Sequence, residues 1–212
     1  GVSLYSLIDN ILINESNFEN NTATTGSGGA IFTSKGKITV ENTNFTNNTA
    51  FISGGAIYSN STTNINNSKF FNNTATKEDS VGGAIYSVST VTVNNTSEFV
   101  NNKANKNGGA IFSPNNAVNV DNSTFINNTA TTGSGGAIYS NENINLSNTT
   151  FTNNMANTTG GALYVNGETL INNVTFTNNT AVSQGGAIFS IKNVTLVNST
   201  FTGNKVNGTD AN

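Results

Sequence analysis

Gly-Gly pairs begin at positions 28, 54, 82, 108, 135, 160 and 185, and each is followed by Ala, then Ile or Leu, then Phe or Tyr. The steps between them are 26, 28, 26, 27, 25 and 25 residues. A second marker keeps the same period. Phe18, Phe45, Phe70, Phe99, Phe125, Phe151, Phe176 and Phe201 each open a segment Phe-x-Asn-Asn-x-Ala, altered in the last copy to Phe201-Thr202-Gly203-Asn204-Lys205-Val206. Self-similarity at a fixed period of about 20–50 residues marks a stacked array, whose units can bury apolar faces only against one another. Eight Phe markers predict eight coils in one repeat domain over residues 1–212.

Between the two markers lies a third segment with period-2 alternation, as in Ile38-Thr39-Val40, Val118-Asn119-Val120, Ile144-Asn145-Leu146 and Val194-Thr195-Leu196. Alternation of this kind predicts a half-buried strand. Each coil of 25–28 residues thus offers three short strands and, being rich in Asn, Thr, Gly and Ser, no helix. Three short strands close a core only if each copy stacks on the next with its hydrogen bonds running between copies. The expected fold is therefore all-β, a parallel β-helix, and at about 4.8 Å per coil eight coils give a rod of about 38 Å.

Parity locates the inside. Ile38, Val40 and Asn42 share one face, but Phe45 lies three residues beyond Asn42, so the chain must bend between them; the same position is held by Asn67, Asn122, Asn148, Asn173 and Asn198. Asn suits such a corner because it tolerates left-handed backbone angles. Phe45 and Ala50 also differ in parity, which places a second bend near Asn47-Asn48. The second Asn of that pair recurs as Asn21, Asn48, Asn73, Asn102, Asn128, Asn154, Asn179 and Asn204, an arrangement in which stacked amides can satisfy one another. In the Gly-Gly-Ala-Ile strand, Ile31 and its equivalents are expected inward. The Phe32, Tyr58, Tyr86, Phe112, Tyr139, Tyr164 and Phe189 column is expected partly outward, since Tyr exchanges freely with Phe where a hydroxyl can reach water. Length varies mainly between the Ala and the next Gly-Gly, from 51–53 to 76–81, which marks the loop edge.

The repeated Gly-Gly-Ala-Ile and Phe-x-x-Asn tetrapeptides resemble the polymorphic outer membrane proteins of chlamydiae, and in their Asn- and Thr-rich background they look like the adhesin-like surface proteins of methanogenic archaea. The resemblance covers residues 1–206. It implies a right-handed parallel β-helix displayed outside the cell, often as part of a much longer protein with an anchoring domain. The start, Gly1-Val2-Ser3-Leu4-Tyr5-Ser6, reads as that of a mature segment or fragment.

Composition limits the chemistry. With no His and no Cys the chain lacks the common general base, thiol nucleophiles and imidazole or thiolate metal ligands. A net charge of -3, with 8 Lys and no Arg, gives no handle on a phosphate backbone, so nucleic acid is not an expected partner. No run of 18 apolar residues occurs, so no transmembrane segment is expected in this chain. Pectin-processing enzymes share the β-helix architecture, but their chemistry needs clustered carboxylates on neighbouring coils. Here Asp9, Asp79, Asp121 and Asp210 are scattered, and Glu15 and Glu41 take different repeat positions. No catalytic, cofactor or metal site is expected. A flat hydroxyl face for ice is not expected either, because Lys103, Met155 and Lys205 interrupt the Thr22, Thr49, Thr74, Thr129, Thr180 column.

The 19 Asn-x-Ser/Thr sequons include Asn44, Asn47, Asn122, Asn193 and Asn198, candidate acceptors for N-glycosylation in an exported protein. The functional expectation is an extracellular, adhesin-like stalk or structural rod at the cell surface. Its partners would be further coils or copies of itself end to end, and surface glycans or proteins of a host or neighbouring cell. The alternatives are a subunit of an end-to-end surface filament and a carbohydrate-active β-helix enzyme.

Overall fold

The computed structural model describes residues 3–7 and 9–207. It contains 32 strands in four parallel sheets of eight, each sheet taking one strand from every coil in sequence order. The chain is a parallel β-helix of eight coils. Among the described residues there is no helix, and hence none long and apolar enough to cross a membrane.

The fifth coil shows the unit. Its strands are Ile111–Ser113, Val118–Asp121, Thr124–Ile126 and Thr129–Ala130, which fall in turn on the first, second, third and fourth sheets. Four strands per coil correct the expected three. Phe-x-Asn-Asn-x-Ala does not run as one element: Asn127 adopts a φ of 55° and turns the chain, so the two-residue Thr-Ala piece pairs on a sheet of its own. Two residues are too few to show a period, which is why the sequence pattern leaves this strand hidden.

Register is strict. Phe99, Phe125 and Phe151 pair in line, as do Ile111 with Ile138 and Val120 with Leu146. Inward side chains therefore repeat as straight columns, and Phe45, Phe70, Phe99, Phe125, Phe151 and Phe176 are all fully buried. Their rings stack at 4.7–5.1 Å with planes within 11° of parallel. Ile31, Ile57, Ile85, Ile111 and Ile138 point inward as expected, and the Ala before each is buried too because it sits in the corner ahead of the strand.

Corners are made by residues that accept left-handed angles. Asn42, Asn67, Asn122, Asn148, Asn173 and Asn198 have φ between 41° and 55°, and Glu15 takes the same position in the first coil at 48°. The third corner needs glycine twice over. Gly135 has a φ of 67°, and a Cβ on Gly136 would run into the carbonyl of Gly161 in the next coil and the backbone of Met155. The loops between Ala and Gly-Gly stay bonded to the coil before, as in Thr132 N to Asn105 O at 2.8 Å.

Burial depends on a neighbour. In the eighth coil Val194, Leu196 and Phe201 are 42%, 50% and 43% exposed, whereas Val118, Val120 and Phe125 of the fifth are 0%, 2% and 0%.

Candidate functional site

A solenoid of this cross-section offers four outer faces and the corners between them. On the first sheet Tyr5, Phe32, Tyr58, Tyr86, Phe112, Tyr139, Tyr164 and Phe189 form one continuous outward column, with centroids 4.4–5.6 Å apart and planes within 20° of parallel. All but Tyr5 are half-buried. Each ring covers the faces of its neighbours, so solvent meets ring edges and phenol hydroxyls. A sugar stacks on a ring face, so the middle of this column is not a stacking platform. Burial pushes the hydroxyls of Tyr58, Tyr86 and Tyr139 above the usual tyrosine pKa, and the neighbouring phenol adds to the rise at Tyr86 and Tyr139.

Inside the second corner, the second Asn of each pair is hydrogen-bonded along the rod, and from Asn48 to Asn179 it is fully buried. Asn128 Oδ1 accepts from the backbone N and the Nδ2 of Asn102 at 3.0 Å each. Its own Nδ2 donates to Asn154 Oδ1 at 3.0 Å and to Phe99 O at 2.9 Å. The same four contacts recur at Asn73, Asn102 and Asn154. Every polar atom of these amides is therefore used within the rod, which leaves none to hold a ligand or metal.

Outside the same corners the first Asn faces water. Asn47 Nδ2 donates to Asn20 Oδ1 and Asn72 Nδ2 to Asn47 Oδ1, both at 3.2 Å. Of the sequon residues, Asn47, Asn122 and Asn198 lie in left-handed corners, Asn44 lies on a third-sheet strand and Asn193 just ahead of a second-sheet strand; all five are exposed.

The acids stay apart. Among the described residues no three of His, Cys, Asp or Glu come close enough to share a metal ion. Asp79 pairs with Lys106 at 2.8 Å on the loop edge, and that contact holds its carboxyl below the usual range. Asp121 on the second sheet accepts from Ser147 Oγ at 2.5 Å and Asn148 Nδ2 at 2.9 Å, which lower its pKa in the same way. Glu15 and Glu41 meet only through backbone, Glu15 N to Glu41 O at 3.1 Å. Asp210 lies outside the described residues.

On the fourth sheet Lys103, Met155 and Lys205 interrupt the Thr column, as the sequence indicates. A more regular hydroxyl surface, missed in the sequence reading, lies on the third. There Thr150 and Thr152, Thr175 and Thr177, and Thr200 and Thr202 stand in register on three successive coils, about 4.8 Å apart along the rod and about 6.8 Å across it. The Thr-Phe-Thr triplet at 150, 175 and 200 is the signal that could have found it.

A family model, the Chlamydia polymorphic membrane protein repeat, matches residues 15–34, 42–60, 67–88, 96–114, 122–141, 148–166 and 173–191, together more than half of the chain. Each match begins at or beside the first left-handed corner and ends just past the aromatic strand of the next coil. No curated protein matches the chain, and no solved structure does.

Proposed function

The chain belongs to the Chlamydia polymorphic membrane protein repeat family, and on that premise we propose that it is an extracellular rod at the cell surface, an adhesin-like stalk that mediates attachment or display. Family and fold fit a surface-displayed structural or adhesin-like protein. The observation that carries the reading is the uniformity of the column. All four sheets run unbroken from the first coil to the eighth, and the Phe and Asn columns run with them, buried from the second coil to the seventh, so side-chain chemistry is spent on holding coil to coil. Such a body supplies reach. In this reading the chain is not an enzyme and needs no cofactor. Its partners are surface glycans or proteins of a host or neighbouring cell, and adjoining coils at its ends.

Asn44, Asn47, Asn122, Asn193 and Asn198 belong to the same reading as acceptors of N-linked glycan; what supports this is their exposure, and for three of them a corner that projects the amide. Beads bearing the chain through one end, washed over cell layers and immobilised glycans, test the attachment. Retention above that of beads carrying an inert protein of equal size is expected, with loss after the target surface is stripped of glycan or protein. Equal retention of both kinds of bead on every surface would sink the adhesive role.

A further inference from the structure

The order of rings in the outer column is Tyr5, Phe32, Tyr58, Tyr86, Phe112, Tyr139, Tyr164, Phe189, and it contains all 5 tyrosines of the chain. Four of them form two neighbouring pairs, each bracketed by Phe, so that each of the four has one phenol beside it and only one. The two Tyr–Tyr steps are also the shortest in the column, 4.7 Å for Tyr58–Tyr86 and 4.4 Å for Tyr139–Tyr164, with planes 1° and 8° from parallel. Steps that involve a Phe run from 4.8 to 5.6 Å.

From this geometry we infer that Tyr58–Tyr86 and Tyr139–Tyr164 are sites of oxidative cross-linking, at which dityrosine joins the third coil to the fourth and the sixth to the seventh. Parallel pairing fixes both backbones, Tyr58 against Tyr86 and Tyr139 against Tyr164, so the two phenols are held together before reaction and coupling has the advantage of an intramolecular step. The rings are partly exposed, with edges and hydroxyls at the surface where an oxidising enzyme can take an electron. A chain without Cys has no disulfide with which to fasten one coil to another. Tyr5 has Phe32 as its ring neighbour and cannot couple within the column.

The oxidant is a peroxide acting through a haem peroxidase. Each phenol gives up one electron and one proton. The two phenoxyl radicals join through the carbons ortho to oxygen, and each of those carbons then passes its hydrogen to its phenol oxygen. Two tyrosines and one hydrogen peroxide thus become one dityrosine and two waters.

The test treats dilute purified chain with peroxidase and limiting hydrogen peroxide, then separates monomer from larger species. Expected in the monomer are dityrosine fluorescence, a mass lower by two hydrogen atoms per cross-link, and digest fragments joining Tyr58 to Tyr86 and Tyr139 to Tyr164. Tyr86→Phe should halve the monomer signal, and Tyr86→Phe with Tyr164→Phe should remove it. Phe already occupies this column at 32, 112 and 189, so both variants keep the ring stack, and an unchanged circular dichroism spectrum checks that they do. Dityrosine confined to dimers, or a monomer signal that survives the double substitution, would overturn the assignment.

Discussion

The rod carries two aromatic columns built to nearly the same dimensions. The inner one stacks Phe at 4.7–5.1 Å, the outer one mixed Phe and Tyr at 4.4–5.6 Å, and both keep their planes close to parallel. They differ in what surrounds them. Inside, Phe45 through Phe176 are closed off from water and no hydroxyl is admitted in eight coils; outside, half-exposed rings exchange Phe for Tyr five times in eight. Stacking geometry comes from strand register, which both columns share. Residue choice comes from solvent, because a buried hydroxyl without a partner costs about 1–3 kcal/mol and an exposed one costs nearly nothing.

The contrast can be broken most severely by emptying the inner column. Phe125→Ala should lower stability by about 3–5 kcal/mol, since the cavity lies mid-stack where it uncouples the two halves of the rod. Phe112→Ala in the outer column should cost about 1 kcal/mol. Chemical unfolding of the two variants compares them, and equal midpoints would mean that the columns are not inside and outside. Next in size comes the buried amide. Asn128→Leu leaves the backbone N and Nδ2 of Asn102 and the carbonyl of Phe99 without partners, a loss of about 3 kcal/mol. Its neighbour on the outer face serves as the control, for Thr129→Leu should change stability by no more than about 0.5 kcal/mol.

Adding one oxygen sharpens the comparison further. Phe125→Tyr should destabilise by about 1–3 kcal/mol, and Phe112→Tyr should be neutral within about 0.5 kcal/mol, both read from thermal midpoints. The smallest effect is on titration. Burial in the folded state raises the pKa of Tyr58, Tyr86 and Tyr139 above the ordinary tyrosine value of 10.0, so the fold holds these protons more tightly than the unfolded chain does. The stability they contribute is complete below pH 10.0 and drains away as pH rises through the folded values. An absorbance titration should show these phenols ionising late, and a stability curve flat through the alkaline range would contradict it.

Much of this is legible in the sequence for a physical reason: a parallel stack forces each buried position to be solved the same way in every coil. Phe125, Ile138, Asn128 and the Gly-Gly corner repeat because each meets its own copy above and below. The second sheet is the counter-example. Its strands, such as Thr63–Asn66 and Val91–Asn94, need only a β-branched or apolar residue at two inward places, so no fixed motif arises, and the family matches skip this segment in every coil. The fourth sheet was hidden because two residues carry no period. Of the candidate surfaces, the outer aromatic column was visible as a list of positions, but the closer approach of its Tyr pairs was not, since ring spacing is set by local tilt of side chains on a common register.

The direction of the backbone hydrogen bonds has a mechanical consequence. All of them between coils, such as Gly108 N to Ser134 O and Met155 N to Asn128 O, run along the rod. A load applied to the two chain ends therefore meets these bonds in tension at the outermost coil, one row at a time, and never as a sheared block. The end coil peels while the next still has its full set of partners. Each release trades about 4.8 Å of rod for about 90 Å of extended chain, so work is absorbed over a long travel at a modest, repeating force. A rod of this kind behaves as a brake: it lengthens coil by coil under a sudden pull, and the coils still wound serve as the template on which the slack rewinds.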